Sequence, residues 1–195
     1  MGITASNIAT PSGADIIGPA AASFERFAFD SRRIHSGSPS CFIAIQTKSA
    51  DGHRYIAQAI EKGASVVICR NPDEYVLSHP NTAFVVHDYP LEVLRNWAAL
   101  KRAALDGPVL AITGSNGKTV VKEWMYQLLG NANNVHRTPG SFNSEIGVPL
   151  TLSSLKTGHS SAIVEVGIDR PGVMVRHEDL AHPKFGVFTN LGDAH

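Results

Sequence analysis

Residues 108–119 read Pro-Val-Leu-Ala-Ile-Thr-Gly-Ser-Asn-Gly-Lys-Thr, and a helical pattern follows over roughly 119–129. The apolar run 109–112 is typical of a buried parallel strand, and the two glycines after it permit a tight turn that directs several backbone N–H groups toward one point. The N-terminus of the next helix attracts anions to the same point. The stretch predicts a phosphate-binding loop whose candidate nucleotide-binding residues are Gly114, Ser115, Asn116, Gly117, Lys118 and Thr119.

Lys118 and Thr119 have the side chains that phosphoryl chemistry needs in this loop. The Lys118 ammonium would stabilise charge on a transferring phosphoryl group, which makes it the candidate catalytic residue, and the Thr119 hydroxyl would bind Mg²⁺. In the common Gly-x-x-x-x-Gly-Lys-[Ser/Thr] motif the first glycine would fall at Ile112, so this loop opens at Gly114 and is shorter. An ordinary strand–turn–helix joint with chance glycines is the alternative. The required order of strand, glycines, Lys-Thr and helix argues against it.

The composition is that of an ordinary globular protein. The chain has 195 residues, 43% of them hydrophobic, which is enough for one large domain or two small ones. Because 17 basic and 17 acidic side chains cancel, no overall field attracts nucleic acid or an anionic membrane. No apolar run approaches the roughly 20 residues that span a bilayer, so the cytoplasm is the expected location. Cys41 and Cys69 lie in apolar, strand-like runs and make no disulfide framework.

Apolar strands and amphipathic helices alternate along the chain, which predicts an α/β fold with parallel sheets. Residues 1–25 have only a weak pattern. The turn Asp106-Gly-Pro108 follows a long amphipathic helix, so we expect a domain boundary there, with domains at 1–107 and 108–195. The predicted strands are 27–29, 41–45, 65–69, 82–86, 108–113, 134–136, 162–166 and 185–189, and the predicted helices are 54–62, 119–129, one that begins at Pro90 and one after Pro171.

Chemically suggestive groups fall at the ends of three predicted strands in the second domain, where ligands gather in parallel sheets. They are Thr113-Gly114, Glu165, and Asn190 followed by His195. Glu165 interrupts an apolar run, and a buried carboxylate is costly unless a cation or hydrogen-bond donors meet it. A magnesium ion held by nucleotide phosphates would meet that need. A structural carboxylate, paired with an arginine or capping the backbone, is the alternative.

Ordered motifs run through both domains. In the second domain they are Thr113-Gly-Ser-Asn-Gly-Lys-Thr119 followed by Val-Val-Lys-Glu123, Asn143-Ser-Glu-Ile-Gly-Val-Pro149, Glu165-Val-Gly167 and Thr189-Asn-Leu-Gly-Asp-Ala-His195; in the first they are Asp30-Ser-Arg32, Phe42-Ile-Ala-Ile45 and Asp51-Gly-His53. Together they resemble the motifs of the Mur ligases, ATP-dependent enzymes of peptidoglycan precursor synthesis. The resemblance implies a small N-terminal α/β uridine-nucleotide-binding domain followed by a truncated P-loop-type parallel-sheet domain that binds ATP.

The resemblance also implies a reaction and a set of site residues. The motifs are similar to those of the members that join D-alanyl-D-alanine to UDP-N-acetylmuramoyl-tripeptide, in which the amine of the dipeptide attacks an acyl phosphate made from ATP. Thr119 and Glu165 would then bind one Mg²⁺, His195 a second, and Asn143 would line the phosphate site. The uridine nucleotide would be bound by Ser31, Arg32, Lys48, Asp51, Gly52 and His53.

The sequence departs from the family pattern in several places. Thr47 stands where many members have glycine, a variation similar to the branch fused to an alanine racemase domain. Members also continue beyond the motif at His195 with the rest of the ATP-binding domain and a third domain, so we expect this chain to be an N-terminal fragment that is inactive alone. The alternatives to this ligase are another Mur-type or folylpolyglutamate-type ligase, a small-molecule kinase, and a nucleotide-binding module without chemistry.

Overall fold

The computed structural model describes residues 2–35, 37–47 and 50–192. The chain forms two compact units, Met1–Trp97 and Ala98–His195. The division falls within a helix, upstream of the turn at Asp106, and the domain boundary after residue 107 stays a prediction. None of the helices in the described ranges combines the length and the apolarity needed to cross a lipid bilayer.

Unit 1 alternates short strands with helices. Its strands are β1 (Ile3–Thr4), β2 (Asp15–Ile17), β3 (Ser23–Phe24), β4 (Arg26–Ala28), β5 (Ser40–Ile43), β6 (Ala64–Cys69) and β7 (Ala83–Val86), and its helices are α1 (Ala5–Ala9), α2 (Ile56–Glu61), α3 (Asp73–Val76) and α4 (Pro90–Ala103), the last of which continues into unit 2. The main sheet has the order β2-β7-β6-β5-β4. Strands β4 to β7 are parallel, β2 is antiparallel to β7, and β1 pairs separately with β3. Short 3₁₀ turns follow β4 at Ser31–Arg33 and precede α2 at Gly52–Tyr55, and another lies at Thr10–Ser12.

The core of unit 1 lies between its parallel strands and α2. Strands buried on both faces need nearly continuous apolar sequence, and β6 has it. Cys41 and Cys69 are buried free thiols, as the sequence predicts, and burial raises the pKa of Cys69 to about 12. The side chains that form this core include Phe42, Val67, Phe84, Ile56 and Ala59.

The first 25 residues contain more regular structure than their pattern predicts. Strands β1, β2 and β3 are two or three residues long, too short for an alternating pattern to be recognised. Helix α1 begins at a capping box, in which the Thr4 side chain accepts a hydrogen bond from Asn7 N and the Asn7 side chain accepts one from Thr4 N. Backbone pairing with β7 and a local cap, rather than periodicity, therefore define this segment.

Unit 2 contains one four-stranded sheet in which every strand is parallel to its neighbours. Its elements are β8 (Val109–Thr113), α5 (Lys118–Asn133), β9 (Val135–Arg137), α6 (Gly147–Ser153), β10 (Ser161–Glu165), α7 (Val173–Ala181) and β11 (Phe185–Phe188). The strand order is β11-β8-β10-β9. The predicted α/β fold with parallel sheets is confirmed.

Alternate residues of β8 face the two sides of this sheet. Ile112 packs with Val121 and Met125 of α5, whereas Val109 packs in a second cluster with residues of α6 and α7, among them Leu152 and Leu180. The period of two along the strand explains this division. The sheet is thus covered on both sides, and its strand ends are left for a site.

Helix α6 lies where the sequence pattern predicts no element. Its sequence, Gly-Val-Pro-Leu-Thr-Leu-Ser, is rich in residues with low helix propensity. Pro149 is tolerated because it lies in the first turn, where its missing N–H would have no partner inside the helix. Val148, Leu152 and most of their neighbours are buried, so tertiary packing stabilises this helix against its propensity.

Candidate phosphate-binding site

The carboxyl ends of three neighbouring strands meet at one edge of the unit 2 sheet. In the register of the sheet, Glu165 of β10 lies beside Ile112 of β8, and Phe188 of β11 lies beside Thr113. The loops after β8, β10 and β11 therefore open on the same edge, as ligand sites in parallel sheets do. We call this region the carboxyl edge. His195, which the sequence analysis also places there, lies outside the described residues.

The loop between β8 and α5 has the tight geometry that its glycines predict. Gly114 and Gly117 have φ angles of +131° and +79°, which strain any residue with a side chain. A Cβ at Gly114 would also lie 2.3 Å from Thr189 Oγ1. Helix α5 begins directly after Gly117, at Lys118. Its first N–H groups have no acceptor within the helix, so this terminus can bind an anion.

Asn190, in the segment after β11, bonds with two amides of this loop. Ser115 N donates to the Asn190 carbonyl oxygen at 3.0 Å, and Asn116 N donates to Asn190 Oδ1 at 2.9 Å. The Ser115 hydroxyl donates to the Gly192 carbonyl oxygen at 2.9 Å. Asn190 therefore fixes the shape of the loop, and the phosphate-binding roles of Ser115 and Asn116 stay predictions.

The Lys118 ammonium lies against its own loop. Its Nζ donates to the carbonyl oxygens of Gly114 at 2.6 Å and of Ser115 at 3.3 Å. An anion held by the first amides of α5 would lie close to this charge, because Lys118 is itself the first residue of the helix. The contact to phosphate that the sequence predicts for Lys118 stays a prediction.

Glu165 is 1% exposed and accepts hydrogen bonds from two of the predicted site residues. Thr119 Oγ1 lies 3.0 and 2.9 Å from its two carboxylate oxygens, and Asn143 Nδ2 donates to Oε1 at 2.7 Å. The Glu165 backbone N–H donates to Thr138 Oγ1 at 2.9 Å. The structure thus brings together Thr119, Asn143 and Glu165, which lie in three separate segments of the sequence.

Lys122 is part of this network, although it is not among the site residues predicted from the sequence. Its fully buried Nζ lies 3.7 Å from Glu165 Oε2 and 3.0 Å from Glu123 Oε1, and it donates to the Gly140 carbonyl oxygen. The hydrogen bond from Lys122 holds the pKa of Glu123 below its usual value. The sequence does contain a signal, because Lys122 follows Thr119 by three residues and so shares its helix face. The cation beside Glu165 is thus a lysine, whereas the structural alternative considered for this carboxylate was an arginine.

The side chains of Thr119 and Glu165 suit a magnesium ion. Mg²⁺ prefers oxygen ligands and usually takes one or two protein carboxylates together with phosphate and water oxygens. The hydroxyl and carboxylate oxygens lie 2.9–3.0 Å apart beside the phosphate-binding loop. No group of three or more His, Cys, Asp or Glu side chains that could hold a metal occurs within the described ranges. Phosphate and water oxygens usually supply the remaining ligands of this ion.

A close backbone approach explains the glycine of the Glu165-Val-Gly167 motif. A Cβ on Gly167 would lie 2.9 Å from Asn143 Oδ1 and 3.1 Å from the Asn143 carbonyl oxygen. Gly167 N also donates to that carbonyl oxygen at 2.8 Å. A larger residue would displace Asn143 from Glu165, so this glycine positions Asn143.

In unit 1, the residues predicted to bind a uridine nucleotide lie in loops after the parallel strands. Arg32 forms a bidentate pair with Asp30, with two contacts of 2.9 Å that hold the pKa of Asp30 below its usual value. The Arg32 side chain is 82% exposed, whereas Ser31 is buried and its hydroxyl donates to Gln58 Oε1 at 2.5 Å. Arg32 is therefore accessible to a ligand, and the Ser31 hydroxyl has a partner inside the unit. Lys48 lies outside the described residues.

Asp51, Gly52 and His53 are ordered by hydrogen bonds to one another, to Ile45 and to Arg70. Asp51 Oδ1 accepts from His53 N at 3.0 Å and lies 2.7 Å from His53 Nδ1, and these bonds lower the pKa of Asp51. His53 Nε2 accepts from Arg70 N at 3.1 Å, and Gly52 N donates to the Ile45 carbonyl oxygen at 2.8 Å. The three residues shape the loop after β5, and their contacts with a nucleotide stay predictions.

Two models of one family together match most of the chain. The Mur ligase family catalytic domain matches residues 27–102, and the Mur ligase middle domain matches residues 112–195. The chain belongs to the Mur ligase family. The resemblance seen in the motifs of both domains is thereby confirmed.

Two curated relatives of this Mur ligase chain share the name UDP-N-acetylmuramoyl-tripeptide–D-alanyl-D-alanine ligase. The protein of Synechocystis sp. is 39% identical over 166 residues, which are 85% of this chain and 36% of the relative. The protein of Bacillus subtilis is 35% identical over 155 residues, which are 79% of this chain and 33% of the relative. The chain thus spans about a third of the length of these relatives.

Solved structures of the Mur ligase MurF have the same fold. MurF from Acinetobacter baumannii has a TM-score of 0.85 and 27% identity, over 100% of this chain and 42% of that one. The MurF ligase of Thermotoga maritima in complex with ADP has a TM-score of 0.71 and 32% identity, over 87% of this chain and 38% of that one. The fold expected from the family resemblance is therefore confirmed.

Proposed function

We propose that this Mur ligase chain supplies the ATP site and the uridine-nucleotide site of a UDP-N-acetylmuramoyl-tripeptide–D-alanyl-D-alanine ligase. The observation that carries the proposal is the network of Thr119, Asn143 and Glu165 at the carboxyl edge. Lys118, which precedes Thr119 at the start of α5, lies against the adjacent loop. Relatives of that name that match most of this chain support the choice of substrates. ATP would phosphorylate the tripeptide carboxylate with release of ADP, and the amine of D-alanyl-D-alanine would then displace phosphate to form the amide.

The first step requires charge neutralisation, because a carboxylate attacks a phosphoryl group that is also negative. The first amides and the dipole of α5 would bind the phosphates. Lys118 would exchange its bonds with the Gly114 and Ser115 carbonyl oxygens for bonds with phosphate oxygens. Its ammonium would then stabilise charge on the transferring group, as charge-assisted donors do in such sites.

Thr119 and Glu165 would hold Mg²⁺ at the carboxyl edge. When bound, magnesium neutralises charge on the nucleotide phosphates. Asn143 fixes the Glu165 carboxylate by donating to Oε1. We also propose His195 as a ligand of a second magnesium ion, and we propose the described residues Asp51, Gly52 and His53 as part of the uridine-nucleotide site.

Unit 1 should bind the uridine diphosphate part of the precursor, with Arg32 as its exposed cation. Titration of the chain with UDP should shift the amide NMR signals of Ser31, Arg32, Gly52 and His53. Arg32→Ala should weaken UDP binding by about tenfold, because a charge-assisted hydrogen bond contributes about that factor to affinity.

Arg26→Ala is the matched control for the UDP titration. Arg26 is exposed, as Arg32 is, but it is the first residue of β4, whereas Arg32 lies after the end of that strand. The control should bind UDP as the wild type does. Equal UDP affinities of the two variants would contradict the uridine-nucleotide site. Amide shifts confined to residues outside the loops that contain Arg32 and His53 would contradict it as well.

The ligase reaction itself can be tested with the protein as its gene encodes it. Phosphate release from ATP should require both UDP-N-acetylmuramoyl-tripeptide and D-alanyl-D-alanine, and mass spectrometry should detect the pentapeptide product. Phosphate release that instead requires a folate with glutamate, or a single amino acid in place of the dipeptide, would assign a different acceptor and contradict the proposal.

A further inference from the structure

We propose that Lys122 is a positioning residue for the magnesium-dependent binding of ATP, which it supports by fixing Glu165 and the loop that carries Asn143. The inference rests on the proposed function and extends it to a residue that would act through Glu165. It is carried by the burial of the Lys122 ammonium and by the three groups that this ammonium contacts.

Complete burial of an ammonium group needs a physical reason, because the group is strongly hydrated in water. Lys122 is 0% exposed, and its ammonium donates to the Gly140 carbonyl oxygen and lies 3.0 Å from Glu123 Oε1. Glu165 Oε2, at 3.7 Å, is its ion-pair partner and is too distant for a hydrogen bond. A lysine with only a solubilising role would extend its ammonium into water. The contacts therefore indicate that the charge acts inside the unit.

Lys122 connects three segments that are distant in the sequence. It lies one helical turn after Thr119 in α5, Gly140 lies in the loop that leads to Asn143, and Glu165 ends β10. Thr119 Oγ1 and Asn143 Nδ2 contact the same carboxylate at distances of 2.7–3.0 Å. A shift of Glu165 or of this loop would therefore change every distance in the group. Lys122 fixes the geometry of the proposed magnesium ligands without being one of them.

The electrostatic partner of Glu165 leads to the same conclusion. Among the ion pairs within residues 2–35, 37–47 and 50–192, Lys122 is the cation paired with Glu165. Partners that hold a metal ligand in place commonly change metal affinity by about 10- to 100-fold when they are removed. Loss of Lys122 should therefore reduce the gain in ATP affinity that magnesium provides, and it should leave magnesium-free binding by α5 largely intact.

The test compares ATP affinity with magnesium and with EDTA, by calorimetry on the 195-residue chain. Lys122→Met keeps the length of the side chain and removes its charge. It should reduce the magnesium-dependent gain about tenfold and change magnesium-free affinity by less than about threefold. Lys156→Met, at an exposed lysine of the same unit, is the matched control and should leave both affinities unchanged. Thermal unfolding is measured for each variant, and Lys122→Gln replaces Lys122→Met if that variant is not folded.

A second pair of variants tests whether Lys122 acts through Glu165. In a Glu165→Gln background, Lys122→Met should change the magnesium-dependent gain in ATP affinity by less than about twofold. The reason is that the effects of substitutions at two coupled residues do not add. The role of Lys122 would be overturned, and the proposed function left standing, by either of two results. One is a tenfold loss of the magnesium-dependent gain in ATP affinity in the Glu165→Gln background, and the other is an unchanged gain in Lys122→Met. A wild-type chain that binds ATP equally with magnesium and with EDTA would contradict the proposed function and this inference together.

Discussion

Lys118→Ala is expected to lower the affinity of the chain for ATP by about 10- to 100-fold in the presence of magnesium, the factor that a hydrogen bond to a charged group contributes. The Lys118 ammonium lies against the carbonyl oxygens of Gly114 and Ser115, at the start of α5, where the phosphates would bind. Calorimetric titration with ATP measures the change. In the protein as its gene encodes it, turnover should fall at least as far, because the charge also stabilises the transferring phosphoryl group.

Lys156→Ala is the matched control for this measurement. Lys156 is an exposed lysine of unit 2 that precedes β10, so it lies toward the opposite edge of the sheet from Lys118. Its replacement should leave ATP affinity unchanged. If Lys118→Ala and Lys156→Ala had the same affinity as the wild type, the assignment of this loop to phosphate binding would be wrong.

Gly107→Ala is expected to lower the free energy of unfolding of the chain by about 3 kcal/mol, at the upper end of the usual cost of inserting atoms into a packed site. A Cβ at Gly107 would lie 1.6 Å from the Ser160 carbonyl oxygen, so the backbone itself must move. Both residues lie just before strands, β8 and β10, that pair with each other. Urea unfolding with a midpoint analysis measures the loss.

Gly186→Ala provides the control for this substitution. Gly186 lies in β11 with no heavy atom within 4 Å of its ideal Cβ, so alanine should change the free energy of unfolding by less than about 1 kcal/mol. Equal midpoints for the Gly107 and Gly186 variants would show that the turn before β8 relaxes without cost.

The parallel strands and long helices were predictable because their residues carry a strong local signal. Strand β8 and helix α5 combine an apolar run, two glycines and a helical pattern, and they form where the sequence predicts them. Helix α6 was not predictable in this way, because Gly147 and Pro149 disfavour a helix and only burial against the sheet stabilises it. Strands β1 to β3 were missed because they are too short for periodicity.

Residue type and position at a strand end were enough to predict which residues lie at the carboxyl edge. Thr119 and Glu165 were both expected at one magnesium ion, because a carboxylate in an apolar strand needs a cation or hydrogen-bond donors. The direct hydrogen bond between them was not expected. The burial of Lys122 could not be predicted, because a lysine in a helix is usually exposed. Its spacing from Thr119 does not by itself show which face of the helix is buried. The bonds from Ser115 and Asn116 to Asn190 also depend on tertiary structure, since 74 residues separate Asn116 from Asn190.

Titration of the isotopically labelled chain with ATP and magnesium, followed by amide NMR shifts, locates the nucleotide site. The largest shifts are expected at the carboxyl edge, in residues 114–119 and at Asn143 and Glu165. A basic cavity of about 470 Å³ at the opposite edge, lined in part by Lys101, Lys156 and His159, offers the competing location for an anion. Shifts centred on that cavity, with the loop at 114–119 unaffected, would contradict the account.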